Sequence, residues 1–548
     1  MKLAMDSLTW VCHSEWPLQV DGLCHALAVE IGETDFDPEN VPLIGTLLDC
    51  CQGLITVDPE ASVVRLIHYT VQEYLCSHPG LLHKPHSALA ETCLTYLNSH
   101  HVKDLTSDSL LGLDSIPFLK YSARHWGTHA NEDLSDNVKT LALKLLNQYE
   151  SHMSVVSLLE HVLYPRYSGL MTPSPLFSGL HCASFFGIVE LVIILINAEG
   201  SKINQQDCTG RTPLTWGATN GHEGVVKILL EQEDVDPNHQ DEDDRTPLMC
   251  AAAIGHEGVV KLLLEREDLD SNRLDKNDGI PLSWAAANGH ERMVKLLLER
   301  GDFDPNHKDK GGLTPLAWAA SIGHEGAVKL LLEQEDIDPN HQDKDGRTPL
   351  LWAAVMGHEG VINLLLSRED IDPNHPDKDD GAPLAWAAAN GHERVVKSLL
   401  ERGDVDRNHQ GGDGQTPLTW AAAIGHEGVI KLLLEQEDID PNHQDIDGRT
   451  PLAWAASLGY EGVVKSLLER EDIDSNRPDE DNGTPLWWAA CKGHEGVVKL
   501  LLEQEDIDPN RPDKYDRTPL FWAAYMGHEG VVKSLLERDS VPNGPGRW

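Results

Sequence analysis

A 34-residue repeat runs through the C-terminal two-thirds of this sequence of 548 residues. Its clearest mark is the tripeptide Thr-Pro-Leu, or a close variant of it, which recurs in steps of 34 residues without a slip. These copies begin at Thr212, Thr246, Ile280, Thr314, Thr348, Ala382, Thr416, Thr450, Thr484 and Thr518. One step earlier, SGLHCASFFG at Ser178 is a more divergent copy, which makes about 11 repeats. So regular a period predicts a solenoid, in which each unit buries its apolar face only against its neighbours.

One copy, residues 346–380, indicates what each unit folds into. Thr348 can cap a helix with its hydroxyl, and Pro349 fits the first turn, where a missing N–H costs nothing. Gly357 ends that helix, and Glu359 stands at the favourable N-terminal end of a second, Leu-rich helix. A polar loop rich in Asp follows, with Pro and a closing Gly. Each unit is therefore predicted to be a helix, a tight turn, a second helix and a projecting loop.

This pattern resembles the ankyrin repeat, whose signature is T-P-L-H-x-A followed by G-H and a Leu-rich second helix. The resemblance covers residues 178–548. The His of the signature stands only in the first copy, as His181, so the Thr–His hydrogen bond usual in the family is expected to be absent from most copies. The other copies place Thr215, Met249, Ser283, Ala317, Leu351, Ala385, Thr419, Ala453, Trp487 and Phe521 there. The resemblance implies an ankyrin-repeat α-solenoid that binds proteins.

The first 177 residues have a different sequence pattern, without the 34-residue repeat. Helical patterns are followed by two short β-rich runs around a turn at Asp58-Pro59-Glu60, and then by a further helix, HYTVQEYL. The helical patterns cover Leu8–Cys12, Leu23–Val29 and Pro42–Cys51. Three helices and then a hairpin is the order of a winged helix. The chain reads as helical again over residues 87–163.

Residues 5–165 resemble the segment that follows the nucleotide-binding NACHT module in fungal NLR-like signalling proteins, which contains a GPI inositol-deacylase-type winged helix. The strings LLDCCQGLITVD, VRLIHYTVQEYL and AETCLTYLN carry this match. No G-x-x-x-x-G-K-[ST] occurs, so the NACHT NTPase is lacking here and no phosphate site is expected. The chain is expected to be the sensor half of such a protein, either truncated or stand-alone.

The fold expected is mostly α, with the ankyrin array preceded by a winged-helix and helical domain. The predicted domains are a winged-helix-like domain over residues 1–85, a helical linker domain over 86–177 and the ankyrin repeat array over 178–548. Residues Ile188–Ile196 are apolar nearly all round, which predicts that this helix docks onto the preceding helical region.

Motifs for metal or catalysis fail in detail, so neither an enzyme nor a cofactor is expected. His-Glu recurs at the G-H positions, but HExxH needs a second His four residues on, where His222 meets Val226. Asp336, Asp338 and Asn340 have EF-hand spacing, yet the loop lacks the required Gly and terminal Glu. The ten cysteines show no framework spacing, which favours reduced thiols in the cytoplasm.

Histidines also recur in the polar loops, one repeat apart. They are His239, His307, His341, His375, His409 and His443. A ladder of imidazoles can bind metal or sense pH. The alternative is that the polar loop was simply copied along with its repeat, and this second reading is favoured.

The net charge of −45 argues against nucleic acid and against anionic membranes, which would repel so acidic a surface. A winged helix raises DNA binding as an alternative, but its candidate recognition helix, NVPLIGTLLDCCQ, contains no Lys or Arg. No run approaches the roughly 20 apolar residues of a membrane span. No signal peptide is visible either, because Asp6 precedes any apolar stretch.

Copies differ mainly after the Leu of Thr-Pro-Leu and in the two residues before Gly, which together lie on one helix face. This variable face either recognises a partner, the reading that is favoured, or reflects drift at tolerant exposed sites. Beside them runs a column of tryptophans, which either line a concave groove as binding anchors or fill the seam between first helices. The candidate partner-binding residues are Trp216, Trp284, Trp318, Trp352, Trp386, Trp420, Trp454, Trp487, Trp488, Trp522, Phe521, Tyr525, Met356 and Met526.

The function predicted is non-enzymatic recognition of a protein partner in the concave groove. The resemblance implies the sensor region of a fungal NLR-like protein, with non-self recognition as its role and a NACHT-bearing signalling partner. A passive ankyrin scaffold or substrate adaptor is the alternative, and a winged-helix DNA-binding regulator is disfavoured by charge.

Overall fold

The computed structural model describes residues 1–33, 35–78, 81–82, 84–103, 105, 116–148 and 177–539. These residues form 30 α-helices and one sheet of two strands. The chain divides into two compact units, Met1–Lys276 and Asn277–Trp548. Within the described ranges, no helix combines the length and apolar character that crossing a bilayer requires.

The first unit begins with three helices and a hairpin, in the order that the sequence predicts for a winged helix. The elements are α1 (Lys2–His13), α2 (Val20–Leu27), a 3₁₀ turn (Pro38–Asn40), α3 (Ile44–Cys50), β1 (Ile55–Asp58), β2 (Val63–Leu66) and α4 (Tyr69–Ser77). The strands are antiparallel, with Ile55 opposite Leu66, and Gln19 adds an isolated bridge to Val63. The predicted turn at residues 58–60 is confirmed.

Four helices follow in the same unit, and one of them shares an aromatic core with α1. They are α5 (Pro85–Leu97), α6 (His100–Lys103), α7 (Leu119–Glu132) and α8 (Asp136–Leu146). The Trp10 ring of α1 lies 5.4 Å from the Phe118 ring and 5.6 Å from the Tyr121 ring, in edge-to-face geometry. This geometry is the favoured one for aromatic pairs. The predicted helix beyond residue 148, up to residue 163, lies outside the described residues.

Three helix pairs complete the first unit. They are α9 (Gly179–Phe186) with α10 (Val189–Ile196), α11 (Pro213–Thr219) with α12 (Glu223–Leu230), and α13 (Pro247–Ile254) with α14 (Glu257–Leu264).

The repeat array meets the preceding helices mainly through α9, whereas the sequence predicts that Ile188–Ile196 makes this contact. The Phe186 ring packs on Trp126 with a centroid distance of 5.1 Å, in space that Gly127 leaves free. From α10 an ion pair reaches α8, but Ile193 and Ile194 are each 39% exposed. The predicted contact of Ile188–Ile196 is therefore present only in part, because overall apolarity does not tell which face of a helix pair meets its neighbour.

The second unit consists of eight further helix pairs. They are α15 (Pro281–Ala287) with α16 (Glu291–Arg300), α17 (Pro315–Ile322) with α18 (Glu325–Leu332), α19 (Pro349–Met356) with α20 (Glu359–Leu366), α21 (Pro383–Ala389) with α22 (Glu393–Leu400), α23 (Pro417–Ile424) with α24 (Glu427–Leu434), α25 (Pro451–Leu458) with α26 (Glu461–Leu468), α27 (Pro485–Lys492) with α28 (Glu495–Leu502), and α29 (Pro519–Met526) with α30 (Glu529–Asp539). Within each unit, successive first helices pack on one another, as do successive second helices. This is the arrangement of an ankyrin solenoid.

The helix boundaries follow from capping residues, as predicted. The Thr348 hydroxyl accepts a hydrogen bond from the Leu351 N–H at 3.2 Å, and Pro349 occupies the first helical position. Gly357 then ends the helix with a φ of 81°, a left-handed conformation that costs a residue with a Cβ about 1–2 kcal/mol. Thr-Pro at one end and Gly at the other therefore fix each first helix.

Successive repeats are joined where the Gly-His dipeptide of one repeat meets that of the next. The His392 Nε2–H donates to the Val355 carbonyl of the preceding repeat at 3.0 Å. A Cβ added to Gly357 would lie 2.7 Å from the His392 ring, so the glycine makes room for the histidine. The same bond recurs at His222 and His256 in the first unit. In the second unit it recurs at His324, His358, His426, His494 and His528.

Gly357→Ala tests this joint. The substitution forces an unfavourable φ and pushes a Cβ into the His392 ring, so we expect a loss of about 2–3 kcal/mol and a lower urea midpoint by circular dichroism. Gly403→Ala is the matched control, because a Cβ there meets nothing within 4 Å. The control should change stability by less than about 0.5 kcal/mol. Equal midpoints for the two variants would contradict this account.

Candidate protein-recognition surface

Seven tryptophans of the column are each held to the loop that precedes their helix by an aspartate nine residues earlier. The indole Nε1–H donates to the carboxylate at 2.7–2.9 Å. The pairs are Trp216–Asp207, Trp318–Asp309, Trp352–Asp343, Trp386–Asp377, Trp454–Asp445, Trp488–Asp479 and Trp522–Asp513. The second carboxylate oxygen accepts backbone N–H groups of the loop, such as that of Gly381 on Asp377 at 2.9 Å. The aspartate therefore holds loop and helix together.

These aspartates were missed in the sequence, although a signal for them was present. An Asp recurs nine residues before the tryptophan in nearly every copy, and Trp420 is the exception, with Gly411 at that position. An acceptor at a fixed distance from an indole N–H is what a half-buried tryptophan requires.

An arginine covers one face of the indole in several copies. The distances from guanidinium carbon to ring centroid are 5.0 Å for Arg211 on Trp216, 4.8 Å for Arg347 on Trp352 and 5.1 Å for Arg517 on Trp522. Arg449 touches two rings, with distances of 4.8 Å to Trp454 and 4.3 Å to Trp488 of the next repeat. A cation over an aromatic face is attracted by about 0.5–2 kcal/mol, depending on how far it is desolvated.

The burial of the predicted site residues divides them into three groups. Trp216 is buried at 3% exposure, and the remaining predicted tryptophans are half-buried. These are Trp284, Trp318, Trp352, Trp386, Trp420, Trp454, Trp487, Trp488 and Trp522. Phe521, Tyr525, Met356 and Met526 are exposed, Tyr525 most of all at 72%. Six tryptophans, Trp318, Trp352, Trp386, Trp454, Trp488 and Trp522, thus combine a hydrogen bond from the indole to their own loop with partial exposure.

The structure brings five of these aromatic residues together near the end of the second unit. Trp487 lies 4.9 Å from Trp488 and 5.7 Å from Trp522, in edge-to-face contacts. Phe521 stacks on Tyr525 at 6.0 Å. Elsewhere in the unit the tryptophans follow one another at one per repeat.

A row of exposed aliphatic residues accompanies the tryptophans, and each member is the last residue of a first helix. In the second unit the row consists of Ile322, Met356, Ile424, Leu458 and Met526, which are between 43% and 51% exposed. We call these five residues the aliphatic row. Ile254 has the same place in the first unit. Exposed apolar side chains that lie together on one surface are typical of protein-binding sites.

Hydrogen bonds explain the loop residues that imitate metal motifs. The Nε2–H of His409 donates to the Asp380 carbonyl of the preceding loop at 3.0 Å, and His239, His307 and His443 make the same bond. The Asn340 side chain binds the backbone of Asp370 and Asp372 in the next repeat. Within the described part of the chain, no three His, Cys, Asp or Glu side chains converge as a metal site would require.

The carboxylate of Asp513 shows how pH acts on the Asp–Trp tie. Burial alone would raise the pKa of Asp513, but hydrogen bonds from the Trp522 indole and from the backbone N–H groups of Arg517 and Tyr515 outweigh it and lower the pKa. A pKa lowered by folding stabilises the protein above the ordinary pKa of the group. This contribution disappears as the pH falls through the lowered value.

Comparison with family models gives matches for the repeat array and for the N-terminal helices and hairpin. The model for ankyrin repeats (3 copies) matches residues 176–241, 233–309, 282–377, 384–479 and 471–544, which is more than half of the chain. The chain therefore belongs to the ankyrin repeat family, whose repeats are non-catalytic protein–protein interaction modules. Residues 1–84 match the winged helix domain of GPI inositol-deacylase. Among curated proteins, comparison gives no match to this chain.

Trp454→Phe tests the tie between indole and carboxylate. The phenylalanine cannot donate to Asp445, which is only 7% exposed, so we expect a loss of about 1.5–3 kcal/mol in the free energy of unfolding measured with urea. Trp420→Phe removes the same ring area from a copy that has Gly411 in place of the aspartate. It should therefore cost clearly less, and a cost equal to that of Trp454→Phe would refute a role for the bond.

Proposed function

We propose that the chain is a non-enzymatic recognition protein that binds a protein partner along its first helices, on the concave side of the repeat array. The aliphatic row is the observation that carries this proposal. Five apolar side chains, each about half exposed, recur at the ends of first helices in a single unit beside half-buried tryptophans, with Asn390 and Lys492 at the two intervening positions. Aromatic anchors at the centre of an apolar contact, with polar residues around them, are typical of binding hot spots.

Charge defines the kind of partner. With a net charge of −45 and loops rich in Asp, the chain would attract a protein that presents a basic patch. Association should weaken as salt rises, because ions screen attraction between exposed charges over about 8–10 Å. Nucleic acid and anionic membranes would be repelled by the same charge.

The finer role that we propose is the sensor region of a fungal NLR-like signalling protein in the cytoplasm, with a NACHT-bearing signalling partner. The winged helix match over residues 1–84 next to ankyrin repeats supports it, because the resemblance places these modules side by side. We propose the domain limits 1–85, 86–177 and 178–548 for these modules.

Co-purification of the full chain distinguishes this role from its alternatives. Recovery of a NACHT-bearing protein would support signalling, whereas recovery of a ligase or kinase would support a substrate adaptor. DNA retained at high salt would support a winged-helix regulator and contradict the proposal.

The double variant Ile424→Asp/Leu458→Asp tests the binding surface. Two carboxylates in the aliphatic row would have to be desolvated on binding, so we expect the affinity for the recovered protein partner to fall at least about tenfold by calorimetry. Asn363→Asp is the control, because Asn363 is exposed on α20, a second helix, and the change adds a negative charge away from the aliphatic row. An unchanged affinity in the double variant, with folding intact by circular dichroism, would refute the proposed surface.

A further inference from the structure

Two neighbouring copies of the repeat depart together from the Asp–Trp–Arg arrangement. Gly381 stands where other copies carry an arginine such as Arg347 or Arg449, five residues before the tryptophan. In the next copy Gly411 stands where the others carry the aspartate that binds the indole. Both glycines lie at the same place, between the loops that precede α21 and α23. Two side chains that other copies carry are therefore absent there.

A cavity of about 490 Å³ lies at this place. Trp386 and Trp420 both line it, together with Gly381, Ala385 and Gly411. We call it the Trp386–Trp420 pocket. Its volume is in the range of sites that hold small ligands or single side chains.

The charged residues of the lining are mostly acidic. Asp379, Asp380 and Asp413 belong to it, and Lys378 is the one basic residue of the described lining. The Oε1 atom of Gln415 is buried and has no hydrogen-bond partner among the described residues. Carboxylates, an unpaired amide oxygen and two aromatic faces all favour a ligand that is cationic and rich in N–H donors.

Several other copies fill the equivalent space with a side chain of their own. The Arg449 guanidinium lies between Trp454 and Trp488, and the Arg347 Nε lies 3.8 Å from the Asp377 carboxylate of the next repeat. Where Gly483 replaces the arginine, the Trp487 ring enters instead and contacts both Trp488 and Trp522.

The Trp386–Trp420 pocket has neither of these side chains. Gly381 occupies the position of the arginine, and Ala385 occupies the position of Trp487. Within the described chain, no lysine or arginine stacks on Trp386 or on Trp420. The space between the two indoles therefore corresponds to the space that holds a guanidinium in other repeats.

We propose that the Trp386–Trp420 pocket binds the guanidinium of an arginine side chain presented by the partner protein. The arginine would stack on the two indoles and donate hydrogen bonds to the Asp380 carboxylate and to the Gln415 amide oxygen. Arginine fits better than lysine, because its planar, weakly hydrated group stacks on aromatic rings and donates in several directions at once. This inference rests on the proposed function, since it names one side chain of the partner.

Fluorine NMR of the full chain labelled with 5-fluorotryptophan tests the proposal. The probes are the peptides acetyl-Gly-Arg-Gly-amide and acetyl-Gly-Lys-Gly-amide, and single Trp→Phe variants assign the signals. We expect the arginine peptide to shift the Trp386 and Trp420 signals to saturation, and the lysine peptide to bind at least about threefold more weakly. The Trp352 and Trp454 signals should stay in place, because Arg347 and Arg449 already cover those rings.

Two variants make the test specific. Ala385→Trp copies the side chain that fills the space beside Gly483, and we expect it to abolish the shifts. Asp380→Asn removes one charge at a residue with a φ of 59°, which asparagine tolerates, and should weaken binding at least about threefold. If Ala385→Trp lowers the melting temperature strongly, loss of the shifts in that variant could come from unfolding. The affinity of Asp380→Asn for the arginine peptide then tests the proposal by itself.

Several results would overturn the inference. Equal shifts at Trp352 and Trp386, equal affinity for both peptides, or binding that survives Asp380→Asn unchanged would each do so. These outcomes leave the proposed function standing if the Ile424→Asp/Leu458→Asp variant still loses its partner. If Asp380→Asn leaves peptide binding unchanged and Ile424→Asp/Leu458→Asp leaves partner binding unchanged, both the inference and the proposed function are refuted.

Discussion

The contact between the glycine of one repeat and the histidine of the next is the constraint on which the array depends. A unit of two short helices cannot cover both of its apolar sides, so its stability comes from neighbours. The glycine ends the first helix in a conformation that other residues adopt only at a cost, and it lacks the Cβ that would displace the imidazole. The histidine then pairs a carbonyl at the end of that helix, which would otherwise remain unpaired.

The tie between aspartate and tryptophan solves a second problem, that of holding a polar loop against a helix. One carboxylate accepts the indole N–H and several backbone N–H groups, which orients the ring and shapes the loop together. The ring is therefore held in place although it is only half-buried. A side chain that is rigid before binding loses little entropy when a partner arrives, which is what an anchor requires. In this way one set of residues serves the frame and also provides a surface for recognition.

Much of this architecture could be predicted from the sequence because it depends on local rules. The period of 34 residues, the Thr-Pro start and the Gly end determine each helix pair, and the structure confirms them. The choice between groove and seam for the tryptophans could not be made from spacing, since it depends on the tilt of the ring. The structure shows features of both, since Trp386 donates its indole N–H to Asp377 and is only half-buried. The docking of α9 was missed for a similar reason, because α10 has the stronger apolar signal in the sequence.

Repetition also explains how such a protein can vary one position without losing its fold. Contacts pass only between neighbours, so a change in one copy is felt mainly by the copies beside it. Replacing an arginine by Gly381 and an aspartate by Gly411 gives up one stacking contact and one charged hydrogen bond, about 2–5 kcal/mol together. The Gly–His contacts on both sides remain, with His392 and His426 still bound to the preceding helices. A frame maintained by backbone contacts can thus tolerate an open pocket between its loops, and the loss of stability at that position is the cost of having a surface that can bind.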